Sequence, residues 1–267
     1  MTIRARYANC VRRWPRLFDF NKALLRKLEK PGLIYRVISH YEADKERVCF
    51  LQIGSNDGIS NDPLREFIVD GIRWEGGFVE PLPHTFRQLQ RNYDYIARRS
   101  LKFRNAAISD RAGILPFYRV KDAFHKDMPG NPDQVASFNK SHVIKHFPEG
   151  FRSDEKIESV PVEVLTPEGL LAELQLGEIH VLHLDVEGHE KCILNAFPFE
   201  KQCPDIVLFE SVHLAGDDLR QICGRLKALD FSLQLCEWDI LAIKKDVVNQ
   251  MDLHRVGFRE ETRIGAT

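Results

Sequence analysis

Residues 48–58 read VCFLQIGSNDG, an apolar run that breaks into a small-residue turn where Gly54 and Gly58 bracket Ser55, Asn56 and Asp57. The run suits a strand covered on both faces, and the turn suits a loop that receives a ligand. Glycine lets the backbone turn tightly and come within van der Waals distance of a ligand, which a side chain would prevent. Working outward, Gly77-Phe78-Val79 is a second apolar segment, and Glu80 closes it. It follows the loop by about 20 residues, the spacing at which a carboxylate receives ribose hydroxyls in nucleotide-binding βαβ units. Together the two stretches point to a nucleoside cofactor.

Beyond them, apolar runs of strand length alternate with helical patterns, which predicts an α/β fold with a doubly wound, mostly parallel sheet. The expected strands are Val48 to Ile53, Trp74 to Val79, Leu101 to Ala107, Ile179 to Leu184 and Asp205 to Phe209. A terminal hairpin, Phe231 to Cys236 and Ile240 to Lys244, adds an antiparallel edge. Helices are expected from His84 to Ala97 behind Pro83, after the cap signal Thr166-Pro167-Glu168, and from Asp217-Asp218 to Leu229. Arg119 to Glu158, rich in Pro, Gly, His and charge, breaks the rhythm and reads as an insertion placed as a lid. His142 and His146 inside it share a helical face, read by default as solvated. The sequence divides into a basic helical segment, 1–45, a catalytic domain, 46–250, with its insertion at 119–158, and a tail, 251–267.

Composition excludes several classes. The chain has 267 residues, 43% of them hydrophobic, and a formal net charge of −1. That is enough to bury a large core, with no strong field to gather nucleic acid, so a small or glycan partner is expected. The cysteines at 10, 49, 192, 203, 223 and 236 form neither a CxxC pair nor zinc-ligand spacing, which suits reduced thiols in the cytoplasm. No apolar run approaches the roughly 18 residues of a spanning helix. The first thirty residues are strongly basic, from Arg4 to Lys30; a solvated helix packed by Leu24, Leu25 and Leu28 is the simpler reading, weak membrane-surface contact the other.

In an open α/β sheet, ligands bind beyond the carboxyl ends of the strands, where the strand order reverses. The expected strands end in Gly54-Ser55-Asn56-Asp57, in Glu80, in Asn105-Ala106-Ala107, in Asp185-Val186-Glu187-Gly188, and in Glu210 with His213 behind it. This ordered set resembles the S-adenosylmethionine-dependent methyltransferases, and more closely the FkbM family among them. LQIGSNDG is similar to its glycine-rich first motif, FVEP to its acidic second-strand end, NAAISD to its third-strand turn and LHLDVEGHE to its LKxDxEGxE signature. LTPEGLL, 165–171, looks like the short helix before that signature.

The resemblance implies a Rossmann-like class I fold with a seven-stranded sheet, and S-adenosyl-L-methionine as cofactor. Gly54, Ser55, Asn56, Asp57 and Gly58 would surround its methionine part, Glu80 would hold the ribose, and Asn105, Ala106 and Ala107 would border the adenine. Asp185 would sit near the transferred methyl. Two positions depart from the family pattern: Gln52 stands where the first motif begins with an acid, which weakens a charge contact to the cofactor's amino group, and His183 stands where the signature has lysine.

The implied reaction is O-methylation of a sugar, glycolipid or polyketide-like hydroxyl. An alcohol needs a base, and Asp185, Glu187 and Glu210 are the candidates. A metal-free mechanism is preferred over one in which these acids and His189 or His213 hold a divalent ion. The competing readings are a nicotinamide oxidoreductase, disfavoured by the missing third glycine and by Asp57 near a pyrophosphate, and a non-catalytic protein on the same scaffold.

Overall fold

The structure, a computed structural model, describes residues 31–96 and 100–261. The basic segment through residue 30, with its leucines, lies outside them. The main sheet has seven strands: β1 Val48–Ile53, β2 Trp74–Val79, β3 Leu101–Arg104, β7 Val181–Leu184, β8 Ile206–Glu210, β9 Phe231–Cys236 and β10 Asp239–Lys244. Their order is β3-β2-β1-β7-β8-β10-β9. All neighbouring pairs are parallel except β10, which runs antiparallel to both β8 and β9. The sheet is the Rossmann-like, seven-stranded and mostly parallel one expected, with the antiparallel C-terminal hairpin.

Both faces of the sheet are covered. Alternation along β1 sends Val48 and Phe50 to one face and Leu51 and Ile53 to the other, and all four are buried. The first face packs Val37, Ile38 and Tyr41 of the helix Leu33–Ala43, Phe67 and Ile68 of Arg65–Asp70, and Leu89 of Pro83–Tyr93. Leu253 and Phe258 bury in the same cluster. The second face takes the helices Pro167–Leu174, Glu190–Ala196 and Gly216–Ala228 through Leu170, Ile193 and Leu226. Strand order reverses about β1, whose partners are β2 on one side and β7 on the other, so β1 and β7 flank the place where such a sheet leaves a crevice.

Three expectations need correction. The strand expected over Leu101 to Ala107 stops at Arg104, and Ala107–Ile108 is a separate strand, β4. The bend between them is held by Asn105, whose Nδ2 donates to the carbonyls of Glu80 (2.7 Å) and Pro81 (2.9 Å). The helix expected to reach Ala97 ends at Tyr93 and tightens into a 3₁₀ turn over Asp94–Ile96.

The insertion's expected bounds, Arg119 and Glu158, fall inside a β-pair: β5 Gly113–Val120 runs antiparallel to β6 Ile157–Leu165, and with β4 they form a second, three-stranded sheet. Pro116 and Pro161 sit opposite each other in that pair. Tyr118, two residues on, sends its N–H outward to Ser137 (2.9 Å), so Pro116 occupies an outward-facing position where no ladder hydrogen bond is lost.

Candidate active site

Beyond the carboxyl ends of β1, β2, β7 and β8 lies a cavity of about 530 Å³. Its floor is the loop after β1. Gly54 has φ +81°, and a Cβ built there would lie 1.9 Å from the carbonyl oxygen of Asp185. The glycine therefore lets β1 and β7 end side by side. Ser55 ties the loop to β2, with its hydroxyl donating to the Gln52 carbonyl (3.0 Å) and accepting from the Val79 N–H (3.2 Å).

Glu80 is buried between two backbone donors, accepting from Asn56 N–H at one oxygen (3.0 Å) and from Leu82 N–H at the other (2.9 Å). Burial pushes its carboxyl up to about 8, against the pull of those two donors. Gly54, Ser55, Asn56, Glu80, Ala106, Ala107, Asp185, Glu187 and Glu210 all line the cavity.

Asp57, Gly58 and Asn105, expected beside the cofactor, are not among the lining residues. Asp57 accepts from the N–H groups of Ile59 (2.9 Å) and Ser60 (2.8 Å) and from the Ser60 hydroxyl, so it shapes the loop from within. Gly58 lies against Tyr93 and Leu89, with no room for a Cβ, and Asn105 is spent on the bend described above.

The three candidate bases stand in different surroundings. Burial, with the charges of Glu210 and Glu187 beside it, holds Asp185 well above the ordinary carboxylate range. Burial would raise Glu187 too, but hydrogen bonds from His142 and His213 outweigh it and pull the group down to about 2. Glu210 is raised by burial and by the charge of Glu187, and its Oε2 is buried without a hydrogen-bond partner. Glu190, the first residue of the helix Glu190–Ala196, is fully buried and accepts from Val186 N–H (3.0 Å) and Gly188 N–H (3.4 Å) with Oε1, fixing the turn that carries Glu187. Glu187 itself has φ +56°, an uncommon conformation for a side-chain-bearing residue, of the kind found where a side chain must be aimed.

Several lining residues have no motif of their own. Pro129, Gly130, Asn131, Val135 and Phe138 reach the cavity from the insertion, and Trp238 reaches it from the β9–β10 turn. His142, read as solvated, is buried: its Nε2 lies 2.7 Å from Glu187 Oε2. A sequence periodicity shows that two histidines share a face, but not that an acid from another segment meets them.

The pattern matches the methyltransferase FkbM domain over residues 52–233. The chain belongs to the FkbM methyltransferase family. Among solved structures it is similar to the methyltransferase FkbM of Methylobacillus flagellatus KT, at 14% identity over 74% of this chain with a TM-score of 0.44. The chain spans 44% of that protein's length. It is also similar to the precorrin-6y C5,15-methyltransferase of Geobacter metallireducens GS-15, at 11% identity over 78% of this chain and 85% of the other, with a TM-score of 0.39. No curated protein matches significantly.

S-adenosyl-L-methionine is the cofactor expected of an FkbM methyltransferase, and the residues present fit it. The Gly54 cradle admits no side chain, and Glu80 presents a carboxyl group fixed by two backbone donors to the cavity. Gln52 Oε1 and His183 Nδ1, both buried and facing one another in the β1–β7 register, have no hydrogen-bond partner. Such orphaned polar atoms are costly unless something polar arrives. Gln52, the departure from the family's acidic residue, thus still offers an oxygen to an amino group. Among the described residues no helix is long and apolar enough to cross a membrane.

Proposed function

We propose that this chain transfers a methyl group from S-adenosyl-L-methionine to a hydroxyl oxygen of a sugar, glycolipid or polyketide-like acceptor. The observation that carries this reading is the meeting, on one cavity, of the β1 loop, Glu80, Ala107 and three carboxylates from two neighbouring strand ends. The cofactor supplies an already activated methyl. What remains for the protein is to seat the acceptor oxygen in line, exclude water and accept the hydroxyl proton.

Asn56 and Glu80 hold the nucleoside end, Ala106 and Ala107 border the base, and Asp185 stands at the methyl end. Glu210, a cavity-lining carboxyl whose Oε2 has no hydrogen-bond partner and lies 3.6 Å from His213 Nε2, accepts the proton as the oxygen–carbon bond forms and the carbon–sulfur bond breaks; Asp185 fixes the acceptor's orientation. Residues of the insertion, Phe138 among them, close the cavity and select the acceptor. Free thiols at Cys49, Cys192, Cys203, Cys223 and Cys236 suit the cytoplasm as its compartment.

The test is transfer of isotopically labelled methyl to a panel of hydroxylated sugars, glycolipids and polyketides, run with Asp185→Asn and Glu210→Gln. Loss of the general base costs about 10²–10⁴-fold in rate, so Glu210→Gln should fall by that much while still binding cofactor. Full-rate methylation by both variants would remove the assignment of these carboxylates.

A further inference from the structure

Against the outer wall of the active-site cavity, a second cavity of about 340 Å³ is lined by His142, Lys145, Glu187 and His213 among others. Four donor atoms converge there: the Nε2 atoms of His142, His146 and His213 and Oε2 of Glu187. His142 lies 2.7 Å from the carboxylate oxygen, His213 3.2 Å and His146 3.9 Å, and the His142 and His146 nitrogens are 3.2 Å apart. One ligand atom from each residue falls within 4.8 Å of all the others. A zinc-like ion with metal–nitrogen bonds of about 2.0–2.1 Å places tetrahedral ligands about 3.3 Å apart, and the observed separations bracket that edge.

We propose that His142, His146, His213 and Glu187 bind a divalent transition metal of the zinc type, which clamps the insertion to the strand ends of the main sheet. The ligands come from both sides of that junction. His142 and His146 belong to the insertion, on and just after the helix Lys140–Lys145, whereas Glu187 follows β7 and His213 follows β8. Three imidazoles and one carboxylate suit zinc, cobalt or nickel; magnesium and calcium require oxygen donors.

The positive φ of Glu187 and the Glu190 brace beneath it hold the carboxylate at the meeting point. Two further contacts bear on the charge: Glu210 Oε2 lies 3.6 Å from His213 Nε2, and Lys145 Nζ lies 3.2 Å from His213 Nδ1. An imidazole that binds metal through Nε2 keeps its proton on Nδ1, so the exposed lysine must swing outward as the ion enters. Glu187, as a ligand, leaves proton acceptance to its neighbours.

The site does not depend on methyl transfer, and its test does not either. The purified full-length chain is stripped with chelator and titrated with Co²⁺, whose visible spectrum reports coordination number and nitrogen ligation. One equivalent should bind with the intense bands of four-coordinate cobalt, Zn²⁺ should displace it, and millimolar Mg²⁺ should not. His146→Ala and His213→Ala should each weaken binding by at least about a hundredfold, since even outer-shell partners of a metal are worth 10–100-fold.

Zinc should also slow protease cleavage between residues 121 and 156 in the wild type and not in His146→Ala. Absence of saturable uptake by the folded wild type, displacement by Mg²⁺, or wild-type affinity retained in both variants overturns the site. Uptake without protection overturns the clamp. S-adenosylhomocysteine titrated into the same samples reads the cofactor site separately, so failure of one assignment is visible without the other.

Discussion

Glu80 is held by two backbone N–H groups and raised to about 8 by burial, and its consequence for pH can be worked out in sign. Between its ordinary value, about 4.5, and about 8, the folded chain keeps a proton that the unfolded chain has released, so stability falls as pH rises through that window. Glu80→Gln cannot ionise and lacks this slope. Urea midpoints of the two proteins, compared from about pH 5 to about pH 8.5, should therefore shift increasingly in favour of the variant; parallel curves would show that Glu80 keeps an ordinary pKa.

Gly54 makes a second residue-scale prediction. Alanine there requires a strained φ and a carbon 1.9 Å from the Asp185 carbonyl, so Gly54→Ala should cost about 2–5 kcal/mol in urea unfolding. The placement of both residues on the cavity was legible in the sequence because both lie in short motifs. The places of Asp57, Gly58 and Asn105, off the cavity lining, were legible less well: in a motif, loop-shaping residues and cavity-lining residues look alike, and only their contacts separate them.

At the scale of elements, strands buried on both faces were readable as apolar runs, and β1, β7 and β8 lie on those runs. The small sheet was not readable. Its strands β5 and β6 carry Pro116 and Pro161 and a largely exposed face, so neither an apolar run nor a clean alternation marks them. The insertion between them takes its order from contacts distant in sequence, such as His142 on Glu187.

The helix Pro167–Leu174, in contrast, was announced by its cap, and Thr166 Oγ1 accepts from Gly169 N–H at 3.1 Å. Thr166→Ala should lower stability by about 1 kcal/mol, measured as a shift in urea midpoint without a change in slope. An unchanged midpoint would mean that packing of Leu170 and Leu174, rather than the cap, positions this helix.

Over the whole molecule, a sheet order that reverses at β1 gathers into one crevice residues that stand far apart in the chain, from Asn56 to Glu210. That convergence follows from topology, which explains why fold and cofactor were readable together while the walls of the cavity were not. The walls come from the insertion and the β9–β10 turn, where no periodicity constrains the sequence.

The claim on which the rest stands is that this crevice grips an adenosyl cofactor. Calorimetric titration of the wild type and Glu80→Ala with S-adenosylhomocysteine, and separately with NADH, tests it most directly. One equivalent of S-adenosylhomocysteine should bind the wild type, with a loss of about 1–3 kcal/mol in the variant for the hydrogen bonds left unmade, and NADH should give no heat. Binding of NADH alone, or of neither ligand, would contradict the account.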